Sequence, residues 1–433
     1  MIPFDKIPKR QTAILYHGRQ IDYGELLANS QPYQKRLESI KESVILLPMK
    51  QEPETIYKLV ACIRANKIFV PIPEDEPIAK AETLKNELSS TVLWLNDFIY
   101  FKAELPQLQL PKDTLFIGFT SGTTGERKGF VRNKESWLHS FASFQSVSVF
   151  APKPYVTCLT PLHYSLGLYV LLQTLSSGQT YLLDVTTLTD LLTMPDVLNH
   201  SQVFSVPTVL IDQLSAIGNV QKQCLSIILS GEVVSINQRK QLFEQMPNAQ
   251  VLTFYGSSET SFIAYNAVPY PPDNCVGTLF PQVSISIAEN DQAIGEIRVT
   301  SPMTFQGYLK KGRFYQASAT IATGDMGWYD QQLFYLGRED DRINRKGEKY
   351  FPATLEKRLN ESPYIKDVVV YGYPDAKLGQ GIAADIVWVE RSLSLDELNQ
   401  FLKTDIYRKG KLDTYQSVTD IQSNDSGKKC KKR

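Results

Sequence analysis

The sequence predicts an α/β protein in two parts: a large N-terminal part on parallel-rich sheets, with a small β-barrel-like portion, and a small α+β unit after it. Three observations carry this. Short apolar runs alternate with amphipathic segments over most of the chain, the pattern of strands joined by helices. Residues 280–335 change to hairpin-type strands around turn residues. A charged stretch, "GREDDRINRKGEKY", then precedes a last group of two helices and two strands.

In chain order, "SVILLPM", "IFVPIP", "TLFIGFT" and "YVTCLTPL" read as strands. Each is short, apolar and bounded by turn residues or charge. "EPETIYKLVACIRANK" and "SINQRKQLFEQM" have the 3.6-residue apolar spacing of helices. "VSISIAENDQAIGEIRVTS" and "LFYLG" read as antiparallel strands. After the charged join come the helix "TLEKRLNES", the strands "DVVVYGY" and "IAADIVWV", and the helix "LDELNQFLKTDI". The expected boundaries are a large domain at 1–338, a small one at 341–433 and a hinge at 339–341.

Composition excludes several classes. Lys plus Arg and Asp plus Glu both number 46, which argues against nucleic-acid binding as the main activity. No apolar run is long enough to span a membrane, and the N-terminus lacks the layout of a secretion signal. The five cysteines are scattered without a CxxC pair, as in a reduced, cytoplasmic protein.

"FIGFTSGTTGERKGF" carries the most chemistry. A strand gives way to Thr120, Ser121, Gly122, Thr123, Thr124 and Gly125. Such a run exposes backbone N–H groups and hydroxyls with little bulk, and Lys128 adds positive charge: a cradle for a polyphosphate. It is not a Walker A loop, because Lys128 is followed by Gly129 rather than by Ser or Thr.

"TSGTTGERKG" resembles the phosphate loop of the adenylate-forming superfamily (acyl-CoA synthetases, luciferases, peptide-synthetase adenylation domains), with Arg127 where Pro is usual. Further motifs follow in that family's order, so the resemblance spans nearly the whole chain. "FYGSSET" resembles its second motif. This implies Tyr255 against adenine with Gly256 beside it, Ser258 (where Thr is usual) at the α-phosphate, and Glu259 on a Mg²⁺ bridging the phosphates. "LSGEVV" resembles the border of the adenine pocket, with Gly231 and Glu232. "ATGDMGWYD" and the following "GRED" imply Asp325 and Arg338 on the ribose hydroxyls. Asp340 falls on the hinge position, about which the small domain would be mobile, and Gly347 in the loop facing the active site during thioester formation. "TPLHYSLGL" resembles the mouth of the acyl pocket: relatives often carry His at Tyr164, and here His163 stands one residue earlier.

The resemblance implies two steps. A carboxylate attacks the α-phosphorus of ATP to give an acyl-adenylate and pyrophosphate; a thiol, that of coenzyme A, then displaces AMP. The segments near the acyl pocket are apolar or small, with no acidic residue to pair with a substrate ammonium, which points to a fatty or other apolar acid. Two alternatives stand beside this ligase: an adenylation enzyme that loads a carrier-protein phosphopantetheine, and a nucleotide-binding protein without catalysis. The tail "SNDSGKKCKKR" resembles the superfamily's closing Gly-Lys motif, implying that Lys428 is the lysine of the first step. Lys431 stands in the place of a usual Arg, and Lys429 leaves the register open by one.

Overall fold

The computed structural model describes residues 3–85, 87–88, 91–101, 108–120, 128–147, 149–217, 224–287, 294–403 and 410–422. The phosphate-loop residues Ser121, Gly122, Thr123, Thr124 and Gly125 and the tail with Lys428 lie outside them, as does the side chain of Thr120.

The described strands form sheets of thirteen, eight and five. In the largest, Gln250–Ser257, Ser226–Leu229, Ser201–Ser205, Tyr155–Cys158, Thr180–Leu182 and Thr12–Tyr16 run side by side and parallel. Within 284–338, the hairpin Gly307–Lys310 with Arg313–Gln316 pairs into the eight-stranded sheet. The other half of the largest sheet is antiparallel and includes Ser284–Ile287, Gly295–Thr300, Thr320–Asp330 and Gln332–Arg338, which the sequence reads as hairpins. They continue the parallel strands across Ser261–Asn266 and Cys275–Leu279.

Alternation sorts the side chains of the parallel strands. Phe204, Ile228 and Leu252 face the core that holds helix Ser165–Ser177. Val203, Ile227, Leu229 and Val251 face the core beneath helices Pro207–Ile217 and Ile236–Gln245. With both faces covered, such strands read as unbroken apolar runs; Val44–Pro48 of the eight-stranded sheet is buried at every residue.

That second sheet holds the strands on either side of the loop at 121–127. Thr114–Thr120 pairs antiparallel with Lys128–Asn133, so the phosphate loop closes a β-hairpin. The next helix starts at Lys134.

Residues 343–417 supply all five strands of the third sheet and a separate apolar core that includes Ile343, Leu355, Val368, Val370, Ile382 and Leu398. The charged stretch read as a plain join contains a hairpin, Ile343–Arg345 with Glu348–Tyr350. Its turn residues Lys346 and Gly347 have φ of 53° and 81°, which makes it a type I′ turn and accounts for glycine there. A short strand, Thr414–Ser417, adds to the sheet in parallel, unforeseen in the sequence. This region touches the rest through Lys357 Nζ, 3.1 Å from Asp273 Oδ1, and Asn237 Nδ2, which donates to the Ser362 carbonyl at 3.3 Å. Among the described residues no helix is long and apolar enough to cross a membrane, and the four described cysteines are free.

Candidate active site

The parallel strands of the large sheet end along one edge, where open α/β sheets bind ligands. Tyr155–Cys158 leads to His163 and Tyr164, Ser226–Leu229 to Gly231 and Glu232, and Gln250–Ser257 to Ser258 and Glu259. Parallel pairing brings these three stretches, distant in sequence, to the same end of the sheet, with Ser201–Ser205 between the first two.

The turn after Gln250–Ser257 is fixed by hydroxyls. Ser257 Oγ accepts from the backbone N–H of Glu259 at 3.2 Å and of Thr260 at 3.3 Å, and Thr260 Oγ1 accepts from Ser257 N–H at 3.2 Å. These local bonds replace the ladder bonds that a turn gives up. Gly256 is required at the bulge before it, since a Cβ there would lie 1.9 Å from the Ser261 carbonyl oxygen. We expect Gly256→Ala to lower unfolding free energy by about 2 kcal/mol and to raise KM for ATP; a urea midpoint equal to the parent's would refute it.

Glu259 has a fixed hydroxyl beside it. Tyr308 Oη donates to Glu259 Oε1 at 3.1 Å, and burial followed by the nearby carboxylate pushes the Tyr308 phenol up. Tyr308 therefore keeps its proton and remains a donor at neutral pH.

On the same strand, Tyr255 points toward a third segment. Its hydroxyl donates to Asp325 Oδ2 at 2.6 Å. Asp325 Oδ1 lies 3.3 Å from Arg338 Nε as an ion pair, yet this buried oxygen has no hydrogen bond. Burial raises the Asp325 pKa, against the Tyr255 bond and the charge of Arg338. Asp325 and Arg338 are cross-strand partners in Thr320–Asp330 and Gln332–Arg338. The structure thus gathers Tyr255, Asp325 and Arg338, residues from three motifs, into one cluster.

Arg132 is the residue that motif reasoning missed. It lies on Lys128–Asn133, the strand leaving the phosphate loop, and is 1% exposed. Its guanidinium donates to the carbonyls of Ser258 (3.2 Å), Glu259 (3.4 Å) and Met303 (2.8 Å) and to Ser261 Oγ (2.6 Å). Burial lowers its pKa to about 9, partly offset by Glu259, so it stays charged at neutral pH. It is a strut joining the phosphate-loop hairpin of one sheet to the Glu259 turn of the other. The available signal was a lone charge inside the apolar "GFVRN".

The remaining predicted residues are placed as follows. Lys128 begins the strand after the loop. The His163 and Tyr164 rings touch, their centroids 4.1 Å apart. Asp340 is exposed in the turn linking Gln332–Arg338 to Ile343–Arg345. Gly347 sits at the tip of the edge hairpin of the third sheet.

For Mg²⁺ the donor set fits a particular mode. Among the described residues no three His, Cys, Asp or Glu side chains cluster as metal ligands. A single carboxylate, Glu259, suits an ion held mainly by substrate phosphates and water.

The AMP-binding enzyme family matches residues 73–309, more than half of the chain. A Staphylococcus epidermidis protein provisionally named long chain fatty acid-CoA ligase VraA is 32% identical over 75% of this chain and 71% of its own length. Acyl-CoA synthetase 7 of Caenorhabditis elegans is 25% identical over 89% of this chain and 74% of its own. Among solved structures, o-succinylbenzoate CoA synthetase (MenE) from Bacillus subtilis, in complex with its acyl-adenylate intermediate, superposes with a TM-score of 0.79. It is 21% identical, over 98% of this chain and 95% of that one. The amide bond synthetase McbA from Marinactinospora thermotolerans has the same TM-score at 19% identity, over 98% and 96%. At these identities the two structures establish the fold.

Proposed function

The chain belongs to the AMP-binding enzyme family, and from that premise we propose how its residues divide the reaction. It is an acyl-CoA ligase-like adenylate-forming enzyme. The finer reading is an ATP-dependent ligase that activates an apolar acid of the fatty-acid class as its adenylate and passes the acyl group to coenzyme A.

The observation that carries this reading is the cluster of Tyr255, Asp325 and Arg338 beside the Glu259 turn. Asp325 Oδ1 is a buried acceptor whose 3.3 Å contact with Arg338 Nε lacks hydrogen-bond geometry, and such atoms call for a partner. A ribose hydroxyl would supply it once Arg338, 49% exposed, swings off it. Tyr255 fixes the other carboxylate oxygen by donating to it and lays its ring along the nucleoside. Thr120 through Gly125, with Lys128, hold the β- and γ-phosphates. Gly231 and Glu232 border the base, and Ser258 reaches the α-phosphate. Glu259, steadied by Tyr308, would hold Mg²⁺, whose charge would offset that of the phosphates. Positioning and charge complementarity do most of the work in such displacements. His163 and Tyr164 line the mouth for the acid, whose fatty character is supported by the apolar segments there and by the name of the staphylococcal relative.

Thioester formation needs little proton chemistry, because a thiol of pKa about 8.5 is already a few per cent thiolate near neutral pH. It does need a new orientation of the small domain, 341–433, turning about Asp340 to bring Gly347 to the site. Proline fixes φ, so Asp340→Pro is expected to permit pyrophosphate exchange and to block thioester formation; equal losses in the two assays would remove the hinge assignment. The function itself is tested by pyrophosphate exchange across a panel of carboxylic acids. Coenzyme A and a phosphopantetheinylated carrier protein are then offered to the best one. No exchange with any acid would sink the reading.

A further inference from the structure

We propose that Phe254, Phe262 and Phe144 close the far end of the acid pocket and restrict this enzyme to compact apolar acids, from butyrate to octanoate in size. This rests on the ligase reading above.

Tyr255 takes one face of strand Gln250–Ser257 to Asp325. Its neighbour Phe254 points to the opposite face by strand alternation. There its ring meets Phe262 edge-on, with centroids 4.8 Å apart. Phe262 stacks on Phe144 at 5.5 Å and on Phe280 at 4.7 Å, and Phe144 meets Phe204 at 5.5 Å. Tyr169 closes on Phe262 edge-on at 5.2 Å and is held by its hydroxyl, which donates to the Ser140 carbonyl at 3.2 Å. These separations are those of aromatic pairs in direct contact, so the rings form one contiguous stack.

Charge decides which way the acid lies. Asp325 and Arg338 make the Tyr255 face polar and suited to the nucleoside. An acid whose carboxylate reaches the α-phosphate beside Ser258 has the Phe254 side left for its apolar end. Phe254 and Phe144 are only half-buried, whereas Phe262, Phe204 and Phe280 are 2% exposed or less. Phe254 and Phe144 thus form the surface a short tail meets, and the buried rings form the stop behind it. A hexadecanoyl chain would have to part the stack. Truncating a ring at its open side leaves an apolar cavity, which takes up apolar ligand.

The test is pyrophosphate exchange by the full chain with butyrate, hexanoate, octanoate, dodecanoate and hexadecanoate. The parent enzyme is expected to peak at hexanoate or octanoate, with kcat/KM for hexadecanoate lower by about 100-fold or more. Phe254→Ala and, separately, Phe144→Ala should each raise the dodecanoate-to-hexanoate ratio by about tenfold while leaving KM for ATP unchanged. Should Phe254→Ala fail to fold, Phe144→Ala carries the test from a different element. A parent enzyme that prefers hexadecanoate, or variants that lose all acids equally, would overturn the length limit and leave the ligase standing. Silence with every acid would overturn both.

Discussion

Lys428→Ala is expected to abolish adenylate formation, lowering pyrophosphate exchange by about 10²–10³-fold, the usual cost of removing one positioned transition-state donor. Thioester formation from supplied acyl-adenylate should survive. The reasoning is chemical: negative charge gathers on the α-phosphate as the carboxylate attacks, and it needs a cation at that moment only. In the second step the thiol attacks the acyl carbon instead: the C–O bond to the phosphate breaks, AMP leaves with that electron pair, and no five-coordinate phosphorus forms. Lys429→Ala is the control. If Lys429 carries the effect, the catalytic register moves by one; if neither does, the tail is a solvated basic end.

Arg132→Met is expected to be the most damaging change in the large domain. The guanidinium serves three carbonyls and one hydroxyl at a site 1% exposed, and methionine leaves those acceptors buried without donors. Breaking one side of a buried charged network costs about 3–5 kcal/mol. Arg132→Lys should recover only part, because one ammonium cannot span four acceptors in a planar fork. Urea unfolding gives the stability term. Exchange activity in the folded fraction gives the second, since a loosened Glu259 turn should raise KM for ATP as well. A stable Arg132→Met protein with ordinary kinetics would remove the strut assignment.

Much of the fold was legible because parallel strands buried on both faces leave unbroken apolar runs, as in Val44–Pro48, and amphipathic helices leave a 3.6-residue period, as in Ile236–Gln245. The hairpin at 343–350 was hidden because its strands are three residues long and half of their residues are charged. The strand Thr414–Ser417 was hidden because a four-residue polar edge strand has no pattern of its own. Arg132 was passed over for a related reason: nothing local distinguishes a charge that reaches across two sheets from one that reaches water.

Local sequence carries the chemistry's vocabulary: the small-residue loop after an apolar strand, the Glu259 and Asp325 motifs, and the apolar character of the acid segments. These depend on residue type and short spacing, which the chain states directly. Folding alone sets Tyr255 to donate to Asp325, Arg132 to tie one sheet to the other, and the ring of Phe262 between those of Phe254 and Phe144. Those are contacts between residues far apart in the chain, fixed by strand order and by which face each side chain takes. Pairing register sets both, and no local stretch of sequence encodes it.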